Sequence, residues 1–369
     1  MKAVFLRMRF KPSITALLLA ILLLCGASAH AQQKPADKGK DKGVPAVEEA
    51  DEAEVPEEAQ DAEETEKPHG AQEAESASGA AVAATPDVNV TVSTTGGRIS
   101  VRGTDRKEVR ARVTGAPVKL KMRVVGAPES GPQTAASRVE VLISDKSKGD
   151  GEAAYDSCLA DYDVELEVPT GATVYLKTQD GDITVQDVTE AHLETNDGRI
   201  EATRISKAVD AASLGGNVTL EDASGRANLT SLNGVVEVRG VRPLDGSDFL
   251  KVKTVSGDIL LDEIGPARVE ADTISGEMRL SGPLARGGTY DFTTTTGDVT
   301  IMMPADSSFK VNAKVSEHGE IDTEFPLQYR GSASPTGPPQ PGRLLGTHGS
   351  GDASITLVSF SGTLKLRKQ

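Results

Sequence analysis

From Val88 onward apolar and polar residues alternate in short runs, each interrupted by Gly, a pattern that predicts short strands joined by tight turns. A five-residue signature of Gly, a residue that is usually polar, an apolar residue, any residue and an apolar residue recurs along the chain. It begins at Gly97, Gly181, Gly198, Gly216, Gly234, Gly257, Gly276, Gly297 and Gly319, as in Gly181-Asp182-Ile183-Thr184-Val185. From Gly181 to Gly319 the spacings are 17, 18, 18, 23, 19, 21 and 22 residues. Before each Gly the apolar positions fall two apart, as in Val174, Leu176 and Thr178 or Tyr290, Phe292 and Thr294. The slots between them carry Lys177, Glu194, Lys251, Lys253, Glu270, Asp272 and Asp291. Each unit therefore reads as strand, Gly turn, strand, with one face buried.

The slot three residues before the Gly holds a hydroxyl in every unit: Thr94, Thr178, Thr195, Ser213, Ser231, Thr254, Thr273, Thr294 and Ser316. Alternation puts this hydroxyl on the apolar face, where an unpaired one costs about 1–3 kcal/mol. Coils stacked in register at about 4.8 Å give each hydroxyl a partner in a neighbouring hydroxyl or in the turn backbone. An all-β fold follows, a β-solenoid of about 20-residue coils with an antiparallel β section at its start. The competing topology is an antiparallel meander, because Asp180-Gly181, Asp197-Gly198 and Asn233-Gly234 are strong hairpin signals. A near-constant period and a repeated hydroxyl slot serve stacking and have no use in a meander.

The organisation that results is a signal peptide over 1–31, an acidic tether over 32–86 and a β-strand-repeat domain over 87–369. Within that domain, 103–170 are an irregular antiparallel section, with strands over 108–114, 118–125, 138–144 and 161–168. Regular repeats fill 171–323, and 324–369 supply a loop rich in Pro between Pro335 and Pro341 followed by closing strands that start at Gly351 and Gly362. The signal reading rests on Lys2, Arg7, Arg9 and Lys11, the apolar run Ile14 to Leu24, and Ala29-His30-Ala31 before Gln32. Leu24 before Cys25 departs from the small residue that lipidation of a lipoprotein requires. With Cys25 removed only Cys158 is left, so no internal disulfide forms. The tether has fifteen acidic residues against five Lys and no Leu, Ile, Phe, Tyr or Trp. Such a composition cannot repay the entropy of ordering.

The run Asp163-Val164-Glu165-Leu166-Glu167-Val168-Pro169-Thr170-Gly171 leads into Val174-Tyr175-Leu176-Lys177-Thr178 and Gly181-Asp182-Ile183. With Thr254-Val255-Ser256-Gly257-Asp258-Ile259 and Thr296-Gly297-Asp298-Val299 it resembles the bacterial putative-adhesin β-strand-repeat family, over roughly residues 88 to 368. The resemblance implies a β-helix-like solenoid in an exported or envelope-associated domain with a non-catalytic adhesive role. It carries over no active site.

A net charge of −15 and a pI near 4.9 argue against nucleic acid or anionic lipid as partner, and aromatics at 3% with no Trp leave the core to aliphatic residues. No second apolar run offers a transmembrane segment in the mature chain. Asp182, Asp258, Asp298 and Asp352 after Gly suggest calcium ligands, yet Arg199, Asn217, Val235 and Glu277 fill the same slot elsewhere, which favours a turn role. His192, His318 and His348 fall in different units. The expectation is therefore no catalytic, cofactor-binding or metal residue, no cofactor, and no enzyme. The chain reads as an exported binding or structural module, periplasmic, at the cell surface or secreted, whose partner is a protein or glycan of the envelope or surface. Outward rows such as Lys177, Glu194, Lys251, Lys253 and Glu270 would meet that partner. The alternatives are a polysaccharide-active β-helix enzyme and an accessory protein of envelope-stress sensing.

Overall fold

The computed structural model describes residues 78–114, 118–125, 135–145, 162–316, 319–329 and 342–369. The signal sequence, the tether up to residue 77, Cys158, Glu317-His318 and the proline-rich run lie outside them. The described residues form 26 strands and no helix. The first six are β1 (Ser78–Ser93), β2 (Ile99–Thr104), β3 (Glu108–Thr114), β4 (Val118–Val124), β5 (Ala136–Asp145) and β6 (Asp163–Pro169). The regular series runs through β7 (Thr173–Lys177), β8 (Ile183–Gln186), β9 (Glu190–Thr195), β10 (Ile200–Thr203), β11 (Ala208–Ser213), β12 (Val218–Glu221), β13 (Arg226–Ser231) and β14 (Val236–Arg239). It continues as β15 (Phe249–Lys253), β16 (Ile259–Asp262), β17 (Arg268–Ser275), β18 (Met278–Ser281), β19 (Thr289–Thr296) and β20 (Val299–Met303). The closing strands are β21 (Phe309–Val315), β22 (Glu320–Thr323), β23 (Gln328–Tyr329), β24 (Arg343–His348), β25 (Ala353–Ser361) and β26 (Thr363–Lys368).

Each coil gives one strand to each of two sheets. Odd strands β7 to β19 pair in parallel in one sheet, called B, and even strands β8 to β20 pair in parallel in the other, called A. Asp-Gly and Asn-Gly therefore do not close hairpins. They turn the chain from sheet B to sheet A within a coil, and the fold is a β-solenoid. Two inward side chains per strand fill the interior, such as Val174 and Leu176 facing Ile183 and Val185, all at 2% exposure or less. At about 1.5–3 kcal/mol for each buried Val, Leu or Ile, one coil rewards its own stacking.

The Gly corner explains the repeat. A Cβ at Gly198 would stand 1.8 Å from the carbonyl oxygen of Gly181, and one at Gly216 would stand 1.9 Å from that of Gly198. The same clash recurs along Gly181, Gly234, Gly257, Gly276, Gly297 and Gly362, so successive coils touch backbone to backbone there and no side chain fits. Most of the buried hydroxyls bond this column, while those of Thr94, Thr178 and Thr294 have no hydrogen-bond partner. Thr195 Oγ1 donates to the Gly181 carbonyl at 3.1 Å, Ser213 Oγ to that of Gly198 at 3.2 Å and Ser231 Oγ to that of Gly216 at 3.0 Å. Eight of the nine expected hydroxyls are buried in this seam. Ser316 is not: Val315 takes the inward position beside Ser359, and Ser359 occupies the seam instead, donating to the Gly297 carbonyl at 3.3 Å. The cause is register, since Gly362 follows Gly297 in the column.

The ends of the stack depart from chain order. β5 and β6 pair in parallel with β1 and β2, so the opening section is half antiparallel cap (β3, β4) and half outermost coil (β5, β6). The coil β1–β2 lies between β5–β6 and β7–β8. At the other end β25–β26, the last strands in sequence, insert between β19–β20 and β21–β22, while β24 covers β21 antiparallel and β23 pairs antiparallel with β24. β1 starts at Ser78, so residues 78–86, read from composition as the end of the tether, are paired with β3 and β5.

Candidate binding surface

The residue just past the Gly corner, after Gly or, in the outermost coil, after Tyr162, has a structural task in every second coil. Asp163 Oδ1 accepts the Arg98 N–H at 2.7 Å, Asp182 the Arg199 N–H at 2.8 Å and Asn217 the Val235 N–H at 3.0 Å. Asp258 accepts that of Glu277 and Asp298 that of Thr363, both at 2.8 Å. One coil supplies the carboxylate or amide and the next supplies only its backbone, which accounts for the mixture of residue types in this slot. Asp352 stands elsewhere, before β25, where it accepts a hydrogen bond from Ser350 Oγ at 2.8 Å. Among the described residues no three His, Cys, Asp or Glu side chains gather as metal ligands. Lys365, bonded at 2.7 Å, and the Thr363 amide hold the Asp298 carboxyl below its ordinary pKa.

The outward residues of sheet B stand in rows at the strand spacing. Lys177 pairs with Glu194 at 2.8 Å, and Lys253 pairs with Asp272 at 3.1 Å and Glu270 at 3.7 Å, while Lys251 also bonds Glu270. The five residues expected to face a partner therefore share one face, and they partner one another across coils. His348 is far from this face, at the closing end beside Phe309 and Phe325, with Nδ1 2.9 Å from the Pro326 carbonyl.

One row is aromatic. Tyr175 stacks on His192 with ring centroids 4.6 Å apart and planes within 5°, and His192 Nδ1 lies 3.2 Å from Asp210 Oδ2. The imidazole holds the Asp210 carboxyl below its ordinary value. Beside Tyr175, a cleft of about 470 Å³ is lined by Asn89, Thr91, Val125, Arg138, Glu140 and Tyr175. A larger groove of about 630 Å³ lies on sheet A where β3 and the start of β1 curl over β6, with Arg102, Arg110, Arg112, Glu165 and Glu167 on its walls. A third feature is the ridge just past the hydroxyl seam, where Leu232, Val255, Ile274 and Phe360 are exposed in line. None of these was visible to sequence reasoning, because each joins residues from separate coils.

The chain belongs to the Toastrack DUF4097 family, a domain of unknown function, which matches residues 88–367. Solved structures similar to it include a putative adhesin from Bacteroides fragilis, with 12% identity over 81% of this chain and 100% of that one and a TM-score of 0.34. A putative cell adhesion protein from Clostridium sporogenes shares 9% identity over 79% of this chain and 100% of that one, with a TM-score of 0.21. A putative lipid binding protein from Parabacteroides distasonis shares 9% identity over 79% and 96% of the two chains, with a TM-score of 0.31. No curated protein matches the chain. Among the described residues no helix is long and apolar enough to cross a membrane.

Proposed function

We propose that this chain is an exported, non-catalytic recognition module that binds a protein or glycan of the cell envelope or surface, with its solenoid carried on the acidic segment 32–77. The carrying observation is the outer face of sheet B, where long polar side chains stand at fixed spacing and are already tied to one another by ion pairs such as Lys177–Glu194 and Lys253–Asp272. Side chains ordered before a partner arrives lose less entropy on binding. The sequence features of export, from Lys2 to Ala31, support the same reading.

The test uses the full chain, tagged at its C-terminus, for cell fractionation and as bait against envelope extracts and a glycan array. The expected result is recovery outside the cytoplasm together with a captured protein or glycan. Cytoplasmic retention or capture of nothing contradicts the reading. Turnover of an acidic glycan abolished by His192→Ala or Asp210→Asn would replace it with an enzyme.

A further inference from the structure

Within the cleft beside Tyr175, the strand spacing leaves room for one ring against the phenol. Tyr175 on β7 stands between His192 on β9 and Thr91 on β1, in register on the outer face of sheet B. His192 covers one face of the phenol, and the other looks across the short Thr91 side chain toward Glu140 on β5, which is in register with Thr91. Strands lie about 4.8 Å apart, so β7 and β5 are separated by about 9.6 Å with only Thr91 between them. A ring seated above Thr91 would lie about 4.8 Å from the phenol plane, nearly the 4.6 Å at which His192 already stacks. The far wall is fixed, because Arg123 Nε donates to Glu140 Oε2 at 2.9 Å. Asn89 and Arg138 close one side, and Arg138 has no ion pair among the described residues.

Resting on the recognition reading above, we propose that this slot binds one pyranose unit of a glycan. The C–H face of the sugar packs on Tyr175 in place of a second aromatic ring. Its rim hydroxyls donate to the Glu140 carboxylate and the Asn89 carbonyl and accept from the Arg138 guanidinium and the Asn89 amide. A peptide aromatic ring would fill the same volume without using the donors and acceptors that Asn89, Arg138 and Glu140 place on its walls. Tyr175 is 41% exposed, so the slot is open to the end or a branch of a chain.

The experiment is saturation-transfer NMR of the full chain with methyl glucoside, galactoside, mannoside and N-acetylglucosaminide, followed by oligosaccharides of whichever one binds. Wild type, Tyr175→Ala, Tyr175→Phe and Thr91→Leu are compared, with Phe360→Ala as an exposed ring elsewhere. All three residues involved face outward, and thermal unfolding checks that each variant keeps the wild-type midpoint. Affinity should fall at least 10-fold in Tyr175→Ala and in Thr91→Leu, whose larger side chain fills the slot, and stay within 3-fold in Tyr175→Phe and Phe360→Ala. The proposal is overturned if no pyranoside binds, if Tyr175→Ala and Thr91→Leu bind as wild type does, or if an aromatic peptide displaces the sugar from the slot. A partner retained by wild type and both slot variants alike would sink the pyranose site and leave the recognition module standing.

Discussion

Where the chain passes from sheet B to sheet A it turns on Gly97, Gly181, Gly198, Gly216, Gly234, Gly257, Gly276, Gly297 and Gly362. Where it leaves sheet A it turns on Asp187, Arg204, Asp222, Gly240, Glu263 and Gly282, every one at positive φ. At the first corner an added Cβ meets a backbone carbonyl oxygen of the neighbouring coil at 1.8 to 2.5 Å. At the second, the nearest atom to a Cβ on Gly240 is a flexible carboxylate oxygen of Asp222 at 3.0 Å, and on Gly282 a backbone nitrogen at 3.4 Å. Space therefore dictates Gly at one corner. The other demands only a left-handed turn, costing a non-Gly residue about 1–2 kcal/mol. Some of that is offset by side-chain contacts at the second corner, where Arg204 and Asp187 form a two-pronged ion pair at 2.6 and 2.7 Å.

Exchanging residues between the corners tests this contrast most severely. Gly216→Asp places at the crowded corner the residue that the other corner accepts at Asp222, and the expected outcome is loss of cooperative unfolding by circular dichroism. Next in size is the hydroxyl seam. Ser231→Ala removes the bond to the Gly216 carbonyl and is expected to lower stability by about 1 kcal/mol in urea titration. Thr294→Val is expected to be neutral or stabilising, because the Thr294 hydroxyl is buried without a partner.

The reverse exchange, Asp222→Gly, should shift stability by less than about 1 kcal/mol, since relief of the strained φ opposes the added chain entropy. The smallest effect concerns acid. Asp298 has its pKa depressed in the folded chain, first by the Lys365 bond, so the stability it adds is fully present above the ordinary value of 3.8 and fades as pH falls through the folded value. Asp298→Asn should therefore flatten the dependence of the unfolding midpoint on pH below about 4 and leave that dependence unchanged near neutrality.

The Gly column, the hydroxyl seam and the inward Val, Leu and Ile were legible in the sequence because each repeats once per coil and obeys strand alternation. The second corner was not, since Asp187, Arg204 and Glu263 share a backbone angle and no chemistry. β1 hid its first residues because Ala80, Ala81, Ala83 and Ala84 resemble the Ala-rich tether they follow. The order of the end coils was hidden for a topological reason: Gly362 and Ser359 carry the repeat signature, but nothing local says that they insert behind Gly297 and Thr294, ahead of β21. The Tyr175 slot was hidden with it. Glu140, Thr91 and Tyr175 become neighbours only because β1 enters the stack between β5 and β7.

The most direct measurement is an alanine walk down both corners in one series of urea unfolding experiments: Gly198, Gly216 and Gly234 at one, Arg204, Asp222 and Glu263 at the other. Backbone contact between coils predicts two separate groups, with losses of about 3 kcal/mol or more at the glycines and within about 1 kcal/mol of wild type at the others. If the two sets of midpoints overlap, the coils do not meet through the glycine column.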